Sequence, residues 1–186
     1  MDEKLAAKSI IELSADYAQV VRLYEEAFPP TEQIDLGLLN SLAAKDGVDF
    51  LAYYDDGEFC GFSYSIACTD YLYLLFLAVD GAQRSKGLGA RILAHLAEAH
   101  PDCATVLEIE SLDPDAPNYD LRLARARFYE RNGFSFTGYD MVTPGMTYTI
   151  MCTSDTFDPD AFVSALNAIA PEFDAGEEVE IRATED

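Results

Sequence analysis

Apolar positions recur at helical spacing through Tyr17, Val20, Val21, Tyr24, Ala27 and Phe28, behind a short apolar run over residues 9–13. Ser14 stands where an N-cap belongs, Asp16 falls in the first turn, and Pro29-Pro30 stops the helix. Thr31 is placed to cap a second helix with the stripe Leu38, Leu39 and Leu42, which Gly47 ends. The period then changes. Residues 48–54, 59–67 and 71–79 are rich in aromatic and branched side chains, and Asp55-Asp56-Gly57-Glu58 links the first two as a hairpin turn. A glycine-containing loop and a helix over 87–99 follow, with Leu88, Ile92 and Leu96 on one face. Then come a strand over 104–110 and a helix over 120–132 with Leu121, Ala124 and Phe128 in register. Strands over 134–141 and 146–152 close a hairpin around Thr143-Pro144-Gly145, a last helix spans 161–169, and an acidic tail is expected to fray.

This order predicts an α/β (α+β) fold: a mixed, mostly antiparallel sheet flanked by helices. Asp113-Pro114-Asp115-Ala116-Pro117 is a loop, and neither a repeat nor a long linker interrupts the chain. Residues 1–153 are expected to form the domain, with 154–186 a C-terminal helix and tail packed on it or extending from it.

Of the 186 residues 49% are apolar, enough for a core, while 34 acids against 12 bases leave a formal charge of −22. That charge argues against nucleic acid and anionic membrane surfaces as partners. The longest apolar run, nine residues over Tyr71–Val79, is too short to span a bilayer. The opening Met1-Asp2-Glu3-Lys4-Leu5 lacks the pattern of a secretory signal, so the expected compartment is the cytoplasm. Cys60, Cys68, Cys103 and Cys152 are dispersed, without a CxxC pair, and read as reduced thiols. With His95 and His100 the only histidines, no metal site is expected.

Chemistry concentrates after the strand at 71–79, in Arg84-Ser85-Lys86-Gly87-Leu88-Gly89. Glycines there let backbone amides approach a ligand, and they open a helix whose free N–H groups favour an anion. The loop matches neither GxGxxG nor the Walker pattern. Charge supplies an independent sign: seven of the twelve bases fall within 84–131, a window that nets −1 while the rest of the chain carries −21. This distribution suits a small phosphate-bearing ligand.

Arg84 to Gly89 resembles the R-x-x-G-x-G signature of the GCN5-related N-acetyltransferase (GNAT) superfamily. Arg127-Phe128-Tyr129-Glu130-Arg131-Asn132-Gly133-Phe134 is similar to that family's F-Y-x-x-x-G-F ending, and Phe28-Pro29-Pro30-Thr31-Glu32 to a helix-joining stretch in some members. The sequence departs from the family at Arg122, where many members carry Asn; Asn118 stands earlier. The resemblance implies transfer of an acetyl group from acetyl-coenzyme A directly to a primary amine, on a small molecule or a peptide. It implies that the amides of Arg84, Ser85, Lys86, Gly87, Leu88, Gly89 and Ala90 hold the pyrophosphate. It further implies that Leu77, Ala78 and Val79 contact the pantetheine arm and thioester carbonyl, with Phe128 also at the cofactor.

Two proton-handling groups are then needed. Tyr129 is the candidate acid for the departing thiolate. Glu108 and Glu110, two apart on one strand and facing one side, are candidate bases, and Glu32 is a third. Against each stands a structural reading: a core tyrosine, or carboxylates meeting the arginines of the next helix. His95 is read as structural, and His100 as favoured by the helix C-terminus. The aromatic series from Tyr53 to Phe76 is mostly core. A non-catalytic acetyl-coenzyme A sensor and an acidic adaptor are the rival readings. The acidity would attract a cationic acceptor, but it equally fits a generally acidic proteome. The closing hairpin and the acidic C-terminal segment are the surfaces a homodimer would use.

Overall fold

The alternating stretches form strands and the 3.6-period stretches form helices in the order β1 (Ala6–Ser9), α1 (Tyr17–Ala27), α2 (Leu36–Leu42), β2 (Val48–Asp55), β3 (Glu58–Cys68), β4 (Tyr71–Val79), α3 (Leu88–Ala99), β5 (Ala104–Glu110), α4 (Tyr119–Arg131), β6 (Ser135–Thr143), β7 (Met146–Cys152), α5 (Pro159–Ile169) and β8 (Glu180–Ala183). The computed structural model describes residues 5–10, 16–83, 86–143, 145–169 and 180–184. The strands follow one order, β1-β2-β3-β4-β5-β7-β6-β8. β4 and β5 are parallel, whereas β1–β2, β2–β3, β5–β7, β6–β7 and β6–β8 are antiparallel. The predicted mixed α/β fold is therefore the observed one.

Contacts divide the chain into two compact units. The first holds residues 1–67 and 74–101. Its Tyr24 ring on α1 meets Phe62 and Phe76 edge-on at 6.1 and 5.1 Å, and the Tyr64 hydroxyl donates to the Leu39 carbonyl of α2 at 3.0 Å. The alternate positions Tyr53 and Gly61 meet α3 through His95 and Ile92. Each strand face is thus committed to its own helices, as period-2 patterning requires. Asp56 and Gly57 have φ of 51° and 80° between β2 and β3, the double positive φ of a type I′ hairpin turn.

The second unit holds residues 68–73 and 102–186. Here β4 pairs with β5 through Tyr71–Tyr73 and Ala104–Val106, and β5 pairs with β7 from Val106 to Glu110. Phe162 of α5, fully buried, packs its ring against Tyr71 and Tyr73 at 5.6 and 5.7 Å.

Four expectations are corrected. The second helix is capped by Asp35, whose Oδ1 accepts from the Leu38 amide at 3.0 Å, and not by Thr31; the helix ends at Leu42, and Gly47, at φ 82°, leads into β2. On α4 the expected face is wrong: Leu121 is 69% exposed and Ala126 is the buried residue. A polar side chain set that rotation, because Arg122 turns inward to pair with Glu110. The acidic tail also does not simply fray, for Glu180–Ala183 alternates charged and apolar side chains and pairs antiparallel with Tyr139–Val142 as β8. Residues 11–13, the expected cap Ser14 and Pro144 of the closing turn lie outside the described residues.

Candidate active site

In the first unit, β4 ends at Val79 and a 3₁₀ turn, Gly81–Gln83, leads toward α3. Asp80 anchors this exit: its amide donates to the Cys60 carbonyl at 2.9 Å, its Oδ1 accepts from the Ala82 amide at 2.9 Å, and its Oδ2 takes Arg22 Nη2 at 2.6 Å. Arg84 and Ser85, two of the expected anion-binding residues, lie outside the described residues. Gly87 caps α3 at φ 71° with no side-chain cap, a conformation that costs an L-residue roughly 1–2 kcal/mol. Arg91 makes the first intrahelical bond, to the Gly87 carbonyl at 3.1 Å. The amides of Leu88, Gly89 and Ala90 are therefore the free donors that a helix start leaves over. They form a cradle that suits a phosphate oxygen, with Lys86 exposed beside it and bonded to Gln83 at 2.6 Å.

One residue of this site was not singled out from the sequence. A Cβ on Gly61 would stand 2.5 Å from the Ala78 carbonyl oxygen and 3.3 Å from Ile92 Cδ1. Gly61 is what lets β3 lie close behind the end of β4 and α3 pack on both. A glycine inside an otherwise aromatic strand was the available signal.

In the second unit the two strand carboxylates have different fates. Tyr73 donates its hydroxyl to Glu108 Oε1 at 2.5 Å. Glu108 Oε2 is shielded from solvent and has no hydrogen-bond partner among the described residues. Burial raises the Glu108 carboxyl to about 7, against the lowering effect of the Tyr73 bond. The same carboxylate, with burial the larger cause, holds the Tyr73 phenol well above its ordinary value. Glu110, by contrast, is saturated: Arg122 Nη2 and Arg125 Nη1 reach it at 3.0 and 3.2 Å, and Asn118 donates at 3.2 Å. Arg122 also donates to the Ser111 carbonyl at 2.8 Å, so the family's Asn position is here a clamp on the 111–118 loop.

Tyr129 is fixed by the way α4 ends. Phe134 N–H donates to the Tyr129 carbonyl at 3.1 Å, Gly133 N–H donates to Glu130 at 3.2 Å, and Gly133 has φ 88°. These are the two bonds and the left-handed residue of a Schellman stop. The accompanying apolar contact is Tyr129 against Phe134, rings 5.4 Å apart, and the Phe128 ring lies 5.1 Å from that of Tyr129. The F-Y-x-x-x-G-F pattern is thus a helix stop that clamps its own tyrosine. Burial pushes the Tyr129 phenol up to about 12 despite Arg125, so it keeps its proton.

The remaining candidates are structural in their surroundings. His95 stacks edge-on to Tyr53 at 5.6 Å, and His100 caps α3 with Nε2 2.8 Å from Asp49. Glu32 sits in the turn after α1, its amide on the Pro29 carbonyl. Cys60, Cys68 and Cys152 are buried thiols outside any disulfide, and burial pushes Cys60 and Cys68 up to about 11. A polar cavity of about 470 Å³ in the first unit is lined by Lys8, Asp16, Tyr54 and Glu58 among others; its Asp16 already pairs with Lys8, and its Glu58 accepts from Gln83. Among the described residues no group of three or more His, Cys, Asp or Glu could hold a metal ion, and no helix is long and apolar enough to cross a membrane.

Residues 46–136 match the model of the acetyltransferase (GNAT) domain. Among solved structures, a Bacteroides thetaiotaomicron protein assigned to the GNAT family of acetyltransferases superposes with a TM-score of 0.72 at 22% identity, covering 89% of this chain and 96% of its own. Arabidopsis thaliana Naa50, in complex with a bisubstrate analogue of coenzyme A and a peptide, gives 0.59 at 16% identity, with 82% and 99% covered. An aminoglycoside 6′-N-acetyltransferase complexed with coenzyme A gives 0.59 at 18%, with 83% and 99% covered. At these identities the likeness is one of fold. No curated protein matches the chain in sequence.

Proposed function

Because residues 46–136 belong to the GNAT acetyltransferase family, we propose that the protein transfers an acetyl group from acetyl-coenzyme A to a primary amine. The observation that carries the reading is Glu108: a strand carboxylate titrating near 7, with one oxygen held and the other buried and without a partner among the described residues. A buried polar atom without a partner is costly, and its usual explanation is a ligand or water that completes it. An amine is such a partner.

The donor fits the residues present. The free amides of Leu88, Gly89 and Ala90, beside exposed Lys86 and with Arg84 and Ser85 expected to join them, would hold its pyrophosphate. Leu77, Ala78 and Val79 would meet its pantetheine arm as an added strand, and Phe128 its neighbouring surface. When bound it supplies an activated thioester carbonyl. A backbone N–H near Val79 donates to the carbonyl oxygen as negative charge develops there. Glu108 Oε2 takes the proton from the attacking amine, directly or through one water. Tyr129, protonated at every working pH, donates toward the departing sulfur. No residue forms a covalent bond to the acyl group, so Cys103 has no part. We assign Glu110 to holding Arg122 and Arg125 and not to the chemistry.

A cationic small molecule or peptide is the acceptor class the acidic chain favours. Titration calorimetry with acetyl-coenzyme A tests the donor: binding is expected, and its absence would remove both the enzyme and a coenzyme A sensor. Tyr129→Phe then separates those two. Turnover should fall at least tenfold with binding retained, whereas unchanged turnover with an identified amine would contradict the role given to Tyr129.

A further inference from the structure

The bond between Tyr73 and Glu108 has a support of its own. Tyr73 is 6% exposed and lies against the ring of Phe162, which is fully buried in α5. The start of α5 is tied to β4 two residues earlier, where the Asp158 amide donates to the Tyr71 hydroxyl at 3.0 Å and Tyr71 stacks on Phe157 and Phe162 at 5.8 and 5.6 Å. A C-terminal helix outside the matched residues 46–136 thus sets where the Tyr73 phenol points.

We propose that Tyr73 is the positioning residue of Glu108: its phenol, braced by Phe162, holds Oε1 and leaves Oε2 as the one oxygen that takes a proton. The proposal rests on the reading of Glu108 as the base. An untethered carboxylate would rotate about its terminal torsion and offer either oxygen in a range of directions. With Oε1 fixed, the free lone pairs of Oε2 have one direction, which is the geometric condition for an efficient base. The bond also favours the charged form, keeping the carboxylate titratable near neutrality where burial alone would hold it protonated.

Among the described residues, the groups on the same strand face are Tyr73 itself and Tyr71, two residues before it on β4; Cys68, the last residue of β3; and Tyr148 and Cys152 on β7, two residues to either side of Ile150, which lies opposite Glu108. Glu110 lies two residues along β5 and is neutralised by Arg122 and Arg125 of α4; the Asp158 carboxylate, just before α5, accepts from the amides of Asp160 and Ala161. Burial and the Tyr73 bond are what set the Glu108 carboxyl, so Tyr73 is the neighbour whose removal moves Glu108.

The test follows the side-chain carboxyl of Glu108 by NMR in protein labelled with ¹³C-glutamate, its signal assigned by its loss in Glu108→Gln. Wild type, Tyr73→Phe and Phe162→Leu are titrated alongside the pH profile of kcat/KM with acetyl-coenzyme A and a working amine. In Tyr73→Phe the Glu108 midpoint is expected to rise by about one pH unit, and the rising limb of kcat/KM to move with it. Phe162→Leu, which keeps both polar groups, should move both in the same direction by less, and it serves if Tyr73→Phe does not fold. A midpoint unchanged in both variants overturns the proposal. A midpoint that moves while the rate profile stays still upholds the hold of Tyr73 on Glu108 and overturns instead the assignment of Glu108 as base.

Discussion

Glu108 and Glu110 share a strand face two residues apart, and their surroundings give them opposite properties. Glu110 meets two guanidinium groups and an amide, while Glu108 meets one phenol and keeps Oε2 without a partner among the described residues. Replacing Glu108 by Gln should lower kcat/KM by about 10²–10⁴-fold, the usual range for a general base, read by steady-state kinetics. It should also stabilise the fold at alkaline pH. The folded carboxyl titrates near 7, above its ordinary 4.5, so the folded state binds the extra proton between those values. The stability of the wild type therefore falls as pH rises through that window, by on the order of 3 kcal/mol. Glu108→Gln should flatten that slope in denaturation curves run from pH 5 to 8. Glu110→Gln should do the reverse of stabilising: it leaves Arg122 short of its charge partner and should cost about 1–3 kcal/mol with a smaller effect on the base's pH limb. The sequence placed both carboxylates on one face, since strand period alone decides that. It could not separate them, because the separation comes from Arg122 and Tyr73, which reach Glu110 and Glu108 from other elements.

At the scale of elements, what could be read in advance were turns and stops with local chemistry. Asp56-Gly57 needs two positive φ angles and has them; β4, β5 and β7 span the residues that the pattern predicts as strands. The F-Y-x-x-x-G-F stretch was legible as a motif, and the structure gives it a physical meaning as a Schellman stop around Tyr129. Gly133→Ala should thus cost about 1–2 kcal/mol, for a residue at φ 88° in open space, measured by chemical denaturation. Gly61→Ala should be worse, about 2–4 kcal/mol, since its Cβ meets backbone that cannot step aside. The misread elements were those decided at long range. Leu121 looked like core on helical periodicity but is exposed because Arg122 takes the inward face; Leu121→Ala should consequently change stability by less than about 0.5 kcal/mol. β8 was missed because its strand character depends on β6 being there to pair with it.

Over the whole molecule, the charge of −22 remains the outlying property. Its distribution toward a nearly neutral window suggested positive charge reserved for a phosphate-bearing ligand, and the structure divides that charge. Arg122 and Arg125 are occupied with Glu110 and Arg91 with Asp55 at 2.6 Å, so much of the window's basicity is internal. The donor amides at the start of α3, with Lys86 beside them, are among what the described residues offer an anion. The surplus acid predicts a protein stabilised by salt, its Tm rising between about 0.05 and 0.5 M NaCl as self-repulsion is screened. The acceptor stayed beyond reach of the sequence, since pocket shape depends on side chains brought together only by folding. The measurement that bears most directly on the account is acetyl-coenzyme A-dependent release of free thiol across a panel of amines, with each amine's mass checked for one added acetyl group. The account predicts amine-dependent thiol release, stoichiometric with acetylated product and lost in Glu108→Gln. Binding of acetyl-coenzyme A with no amine in a broad panel raising thiol release above hydrolysis would contradict it.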